Sequence, residues 1–324
     1  MVTPHQLRTF LAVVESGSVS DAAELLVVSQ SAVSSSLAGL QRELGVRLLE
    51  RHGRGVRLTE EGIIYAGYSR RILGLIDEAL ISARDGNRPE QGHVRLGAVP
   101  TAAEQVIPAY LATFRRRYPG AQVGLHVGSR DDVFRRLVSH EVDLVVAGRP
   151  PAGSPLVSRA QAANELVLVA APGIVPTGPE HVGLAALAEA TWLLREPGSG
   201  NRDTMLGYLA DRELSPPQLT LGANGAVIAG AVAGLGVTLV SRSATAGEVS
   251  LGRLTVVRAP GTPMIRPWHL VSREDIPAPT RLFLGHLLED APAADIPRFR
   301  ILRSPGGPRS AESAPTAPFH LHDH

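Results

Sequence analysis

The side chains able to do chemistry here are few in kind. All 32 basic residues are arginine, and the chain has neither lysine nor cysteine. That excludes disulfides, Cys-ligated metals, thiol nucleophiles, Schiff-base chemistry and a Walker-A lysine. Every cationic contact falls to a guanidinium fork, which suits phosphates and carboxylates. One cluster is Arg42, Arg47, Arg51, Arg54 and Arg57, opposed only by Glu43 and Glu50. Five against two leaves a local +3 in a chain of net charge +1. The plain alternative is a solvated face. A second stretch, Trp192-Leu193-Leu194-Arg195-Glu196-Pro197-Gly198-Ser199-Gly200-Asn201-Arg202, reads as a strand entering a Gly/Ser loop before a helix. Backbone amides in such a loop cradle anions. Gly-x-Ser-x-Gly, His-Glu-x-x-His and Gly-x-Gly-x-x-Gly are all missing, which speaks against a hydrolase. The alternating His320, His322 and His324 could bind metal only loosely, so no metal and no cofactor is expected.

The elements that must position these groups follow from hydrophobic period. Leu7, Phe10, Leu11 and Val14 recur at helical spacing over Pro4 to Ser16, and Gly17 ends that helix. Ser18 or Ser20 can cap a second helix through Leu26. Ser29 can cap a third, Gln30 to Leu44, with Val33, Leu37 and Leu40 facing inward. Two short helices joined by a tight turn have the helix-turn-helix layout, whose second helix lies in a major groove. The start of that helix is polar: Gln30, Ser31, Ser34, Ser35 and Ser36. Alternation on either side of His52-Gly53-Arg54-Gly55 predicts a small hairpin, a wing.

Residues 61–88 form one long helical pattern. Tyr65, Tyr68, Ile72, Leu75 and Ala79 follow a 3-4 repeat suited to helix pairing, and Asp85 to Pro89 ends it as a hinge. A helix packed on its own domain is the other reading. Residues 92–291 alternate apolar strands with helices, which predicts a mostly parallel α/β sheet. Ligands of such sheets bind beyond the strands' carboxyl ends, where Thr101, Ser129 and the 195–202 loop fall. Residues 292–324 are rich in Pro, Ser, Ala and Gly and are expected to be a disordered tail. Arg8 and Glu15 interrupt the only apolar stretch near the start, so no signal peptide is expected. The longest charge-free run, between Glu213 and Arg242, is broken by prolines and glycines and reads as no membrane span. A soluble, cytoplasmic protein is expected.

Phe10-Leu11-Ala12-Val13-Val14-Glu15-Ser16-Gly17-Ser18, Ser29-Gln30-Ser31-Ala32-Val33-Ser34, and Leu44-Gly45-Val46-Arg47-Leu48-Leu49-Glu50-Arg51 before Leu58-Thr59-Glu60-Glu61-Gly62 resemble the LysR-type transcriptional regulators, colinearly over about 60 residues. The resemblance implies a winged helix-turn-helix over 1–60, a dimerising linker helix over 61–88 and a two-lobed, periplasmic-binding-protein-like effector domain over 92–291. One lobe would hold 92–162 and 271–291, the other 163–270. Promoter DNA is the implied partner, with Gln30, Ser31, Ser34 and Ser35 reading bases and Arg51, Arg54 and Arg57 holding phosphates or the minor groove. Ser31 stands where the family often has proline, and Ser35 and Ser36 replace longer polar side chains. Shorter reach shifts weight toward DNA shape. The resemblance carries Thr101, Ser129, Ser199, Asn201 and Asn224 over as hydrogen-bonding effector residues, with Arg195 and Arg202 as charge partners. A small anion or carboxylate is the expected effector. The 195–200 loop and Asn224-Gly225-Ala226 look like those of regulators of carbon-fixation or sulfur-assimilation genes. A homodimer or homotetramer is implied, and contact with RNA polymerase is left open. The competing classes are an α/β enzyme and a small-molecule binding protein with no DNA role.

Overall fold

In the computed structural model, residues 1–53, 55–85, 88–176, 182–289, 292–293 and 296–301 are described. The expectations for Arg54, for residues 86–87 of the hinge and for 302–324 lie outside them. The N-terminal helices are set by their caps. The Thr3 hydroxyl accepts from the Gln6 N–H, the Gln6 side chain accepts from the Thr3 N–H, and this capping box opens α1 (Pro4–Ser16). Gly17 closes it in the left-handed region at φ 68°. Ser18, rather than Ser20, caps α2 (Val19–Leu26), accepting from the Ser20 and Asp21 N–H groups. Ser29 caps α3 (Gln30–Leu44). Phe10, Val13, Ala22, Val33 and Leu40 are buried among the three helices. The antiparallel wing, β1 (Leu49–His52) and β2 (Gly55–Leu58), docks on the first turn through Val56 N–H to Gly17 O at 2.9 Å.

The long helix α4 (Glu60–Asp85) follows. Then come β3 (His93–Ala98), α5 (Pro100–Gln105), α6 (Ile107–Arg117), β4 (Gln122–Val127), α7 (Arg130–Val138), β5 (Leu144–Ala147) and β6 (Val157–Ala162). The second lobe holds β7 (Glu165–Ala170), α8 (Leu184–Glu189), β8 (Trp192–Leu194), α9 (Gly200–Ala210), β9 (Gln218–Thr220), α10 (Asn224–Val232), β10 (Thr238–Ser241), α11 (Arg242–Ser250), β11 (Thr255–Val257) and β12 (Met264–Ile265). The chain returns to the first lobe as β13 (Trp268–Ser272), α12 (Ala278–Leu288) and β14 (Arg300–Ile301).

Three expectations change. The first lobe's sheet, β14-β6-β13-β5-β3-β4, is mixed rather than mostly parallel. Only β3 runs parallel to its neighbours β4 and β5, while β13 lies antiparallel between β5 and β6. In the second lobe β10, β11 and β12 all pair antiparallel with β7, and β8 and β9 pair parallel. Strands buried on both faces read as apolar runs whatever their direction, so period alone does not decide polarity. The return crossing falls at 266–267 and not at 271, because Trp268 and Leu270 are buried in the first lobe's core. Residues 296–301, expected within the tail, are packed on the first lobe. Phe299 is buried against Tyr110 with ring centres 5.8 Å apart, and Arg300–Ile301 pairs with β6. One aromatic and two strand residues in an otherwise Pro/Ala-rich stretch leave no period to detect.

Candidate functional site

At the N-terminal head, α2 and α3 meet at 108°, within the range of helix-turn-helix pairs. Gln30, Ser31, Ser34 and Ser35 are exposed along the first turns of α3. Two of these side chains already have partners. Gln30 Nε2 donates to Ser20 Oγ at 2.8 Å, and the Ser29 and Ser31 hydroxyls lie 2.9 Å apart. Arg51 and Arg57 both project from the wing; Arg57 pairs with Glu50 at 2.7 Å across the hairpin. The serines of α3 and the arginines of the wing are thus all exposed, with the guanidinium of Arg57 partly neutralised.

The long helix divides the residues expected to pair subunits. Tyr68, Ile72, Leu75 and Ala79 are exposed, joined by Ile63, Ile64 and Leu80. Tyr65 is the exception. It is half-buried, its ring 5.7 Å from Phe10, and it belongs to the core of the head. Three residues turn a helix by about 300°, so Tyr68 and Tyr65 point to different sectors.

Between the lobes lies a narrow cleft lined by Thr101, Ser129, Arg195, Ser199 and Asn201, five of the seven residues expected there. Its interior is about 30 Å³, room for one or two waters. The segments that position them are strand-to-helix turns: Thr101 at the start of α5, Ser129 capping α7, and Ser199 preceding α9. The Ser129 hydroxyl accepts from the Asp132 N–H. The Ser199 side chain caps nothing, so the first N–H groups of α9 keep their hydrogen-bonding capacity at the cleft.

Two expected residues stand elsewhere. Arg202 donates to the Arg195 carbonyl at 2.8 Å and to Thr220 Oγ1 at 3.2 Å, a brace between α9 and β9 outside the cleft. Asn224 is a strut between lobes: its amide donates to Glu104 at 3.2 Å and its oxygen accepts from Arg195 at 3.5 Å. Arg195 itself is clamped by Glu196 through two bonds of 2.7 Å. Burial pushes the Glu196 carboxyl up, but the Arg195 fork outweighs it and holds it below the usual range. Arg195 is thus already neutralised.

The cation that the sequence reading missed is Arg266. Its backbone N–H donates to the Asn164 carbonyl at 2.9 Å, and the Asn164 amide donates to its carbonyl at 3.0 Å. These two residues are where the chain crosses between lobes, so Arg266 sits on the hinge. Its guanidinium reaches into the cleft, where Nη1 donates to Asn201 Oδ1 at 2.9 Å. It forms no ion pair among the described residues. Burial pushes its pKa down and the neighbouring charge of Arg130 pushes the same way, against the opposing pull of the Asp203 carboxylate. It lies against Gly148 of one lobe and Gly200 of the other, where a Cβ at Gly200 would collide with Nη2. A lone arginine between Ile265 and Pro267 gives only a weak sequence signal. Just outside, Arg130, Arg149 and Arg266 line a shallower opening with Asp203 and His269.

A head of this geometry followed by a hinged two-lobed domain has known counterparts. Residues 4–63 match the family described as bacterial regulatory helix-turn-helix protein, lysR family, and residues 87–292 match the LysR substrate binding domain. The chain belongs to the LysR family of transcriptional regulators. The HTH-type transcriptional regulator CbbR of Rhodospirillum rubrum is 34% identical over 273 residues, 83% of this chain and 90% of that one. The RuBisCO operon transcriptional regulator of Allochromatium vinosum is 36% identical over 276 residues, 84% and 90% of the two chains. Among solved structures, full-length CbnR complexed with its target DNA covers 88% of this chain and 98% of its own, with TM-score 0.61 and 25% identity. The regulatory domain of Synechocystis PCC6803 CcmR in complex with 2-PG covers 60% and 94%, with TM-score 0.57 and 26% identity. Relatives named as transcriptional regulators remove the ground for an enzyme, and the LysR head removes it for a binding protein without a DNA role. Among the described residues no single helix is long and apolar enough to cross a membrane.

Proposed function

We propose that this LysR-family protein binds promoter DNA through α3 and the wing, and that a small anionic effector, held at Arg266 between the lobes, sets the geometry of the bound complex. The observation that carries the effector reading is a half-buried guanidinium on the hinge that no carboxylate contacts in an ion pair, with Asp203 acting on it only through space. An anion entering the cleft would supply the charge-assisted hydrogen bonds that the protein does not. Ser199, Asn201 and the first amides of α9 would hydrogen-bond that anion, with Thr101 and Ser129 from the facing lobe. The interior is too tight for anything beyond a small group, so the lobes part for entry and close on the ligand. The complex of CcmR with 2-PG makes 2-PG a reasonable first probe beside inorganic phosphate.

On the DNA side, Gln30 and Ser34 would read bases, Ser31 and Ser35 would sit close to the groove, and Arg51 would hold phosphate with Arg57. Short serines support a readout weighted toward DNA shape. The exposed Tyr68, Ile72, Leu75 and Ala79 would pair with a second copy, which gives two heads on one operator. A gel-shift across a salt series on the gene's own upstream DNA and on a duplex selected from a random pool tests the head. Retarded complexes with a steep salt slope, weakened by Ser34→Ala and Arg51→Ala, are expected. Thermal shift with 2-PG and phosphate tests the cleft. Stabilisation by either anion that disappears in Arg266→Gln is expected. A response that survives Arg266→Gln overturns the assignment of that residue.

A further inference from the structure

A second buried charge network lies far from the cleft, where α4 meets the first lobe. Asp143, fully buried at the start of β5, is gripped by Arg95 of β3 through bonds of 2.9 and 2.6 Å. Arg273 also donates to Asp143, at 3.0 Å, and its other arm donates to the carbonyls of Leu137 and Val142, both at 2.8 Å. The Arg273 Nη2 that reaches Asp143 also donates to Glu78 of α4 at 2.9 Å. His140 Nδ1 lies 2.6 Å from the same Glu78 oxygen. One turn earlier on α4, Gly74 lies so close to the lobe that a Cβ would collide with the Ser139 carbonyl. The Glu78 and Arg273 side chains are 17% and 11% exposed, so this contact is shielded from water, unlike a surface ion pair.

The position of Arg273 gives the network its meaning. It is the first residue past β13, and Arg266 lies two residues before that strand. One short strand, held between β5 and β6 in the sheet, thus has the hinge cation at one end and the helix-gripping cation at the other. A strand paired on both sides, its register with β5 unbroken, is the kind of rigid element able to carry coupling between its two ends.

We infer that Glu78 and Arg273 are the positioning residues that couple the interlobe hinge, through β13, to the linker helix and hence to the DNA-reading head. This rests on the reading of the cleft as the effector site, but the coupling is reciprocal and can be read from the DNA end without any effector. Hydrogen exchange on the full-length protein, with and without a duplex selected by the wild type from a random pool, supplies the test. DNA should change the exchange of residues 264–273 by about threefold or more in the wild type. In Glu78→Gln, and separately in Arg273→Lys, DNA affinity should stay within about twofold while that change at 264–273 disappears. The lysine keeps the charge but cannot reach Asp143, Glu78 and two carbonyls at once. Thermal melts confirm that each variant is folded, and either one alone decides the question. An unchanged 264–273 in wild type, or a full change in either folded variant, overturns the coupling. The cleft reading stands or falls separately, on the loss of anion stabilisation in Arg266→Gln.

Discussion

At the level of single residues, what distinguishes the cations of the effector domain is whether a carboxylate has claimed them. Arg195 has Glu196, Arg95 has Asp143, and Arg266 has an amide oxygen. Of these three, only the last has no carboxylate in contact and so keeps charge for an external anion. Gly200 is what lets it lie where it does. In Gly200→Ala the methyl would displace the far end of a flexible side chain, so the fold should survive while the anion site is lost. The expected result is at least a threefold smaller thermal shift with phosphate or 2-PG (about the scale of one misplaced charge-assisted bond) and an unchanged salt series in the gel-shift. An undiminished shift would place the anion elsewhere in the cleft.

At the level of elements, the junctions matter more than the helices and strands themselves. The start of α4 presses on the wing at Gly62, where a Cβ would strike the Leu48 carbonyl oxygen. Backbone cannot swing aside as a side chain can. Gly62→Ala should cost more than about 2 kcal/mol and weaken DNA binding about tenfold or more, read by urea denaturation and gel-shift; a normal wing with normal affinity would refute the close approach. Two strand and helix histidines set a pH response. Burial, then the charge of Arg149, pushes His269 of β13 down, and burial pushes His286 of α12 down. Both stay neutral in the folded state where an unfolded imidazole, near 6.5, takes a proton. The unfolded state then binds more protons, so stability falls as pH drops through about 6.5 toward the lower folded values. Urea midpoints at pH 7.5 and 5.5 should show that decrease, and His286→Gln should reduce it. Equal midpoints would contradict both assignments.

At the level of the whole molecule, a single chain leaves Ile64, Tyr68, Ile72 and Leu75 exposed along one face of α4. A contiguous apolar stripe of that length calls for a covering surface, and a second copy supplies one with the same stripe. Ile72→Asp should shift sedimentation toward monomer and cut operator affinity about tenfold or more, since one head reads only half a site. Assembly unaffected by that charge would show that subunits meet elsewhere.

How much was legible in advance divides by the range of the interactions involved. Local chemistry determined the head: the Ser18 and Ser29 caps, the Gly17 and Gly45 stops and the period of Leu37 and Leu40 each act within a few residues, so the helices, the turn and the wing stand as read. The placement of Thr101, Ser129, Ser199 and Asn201 at strand ends was equally local, and the packing of two lobes brings those ends to one cleft. Sheet direction was not legible, because β7 and β13 are buried on both faces and an apolar run carries no polarity. Nor could sequence decide which arginine is free, since Arg195 finds Glu196 next door while Arg202 turns to Thr220 and Asn224 to Glu104, partners fixed only by packing. Tyr65 left the pairing stripe for Phe10 on the same ground. Arg266, Glu78 and Arg273 owe their positions to contacts 65 to 195 residues apart along the chain, and only the folded arrangement of the lobes against the long helix puts their charges face to face.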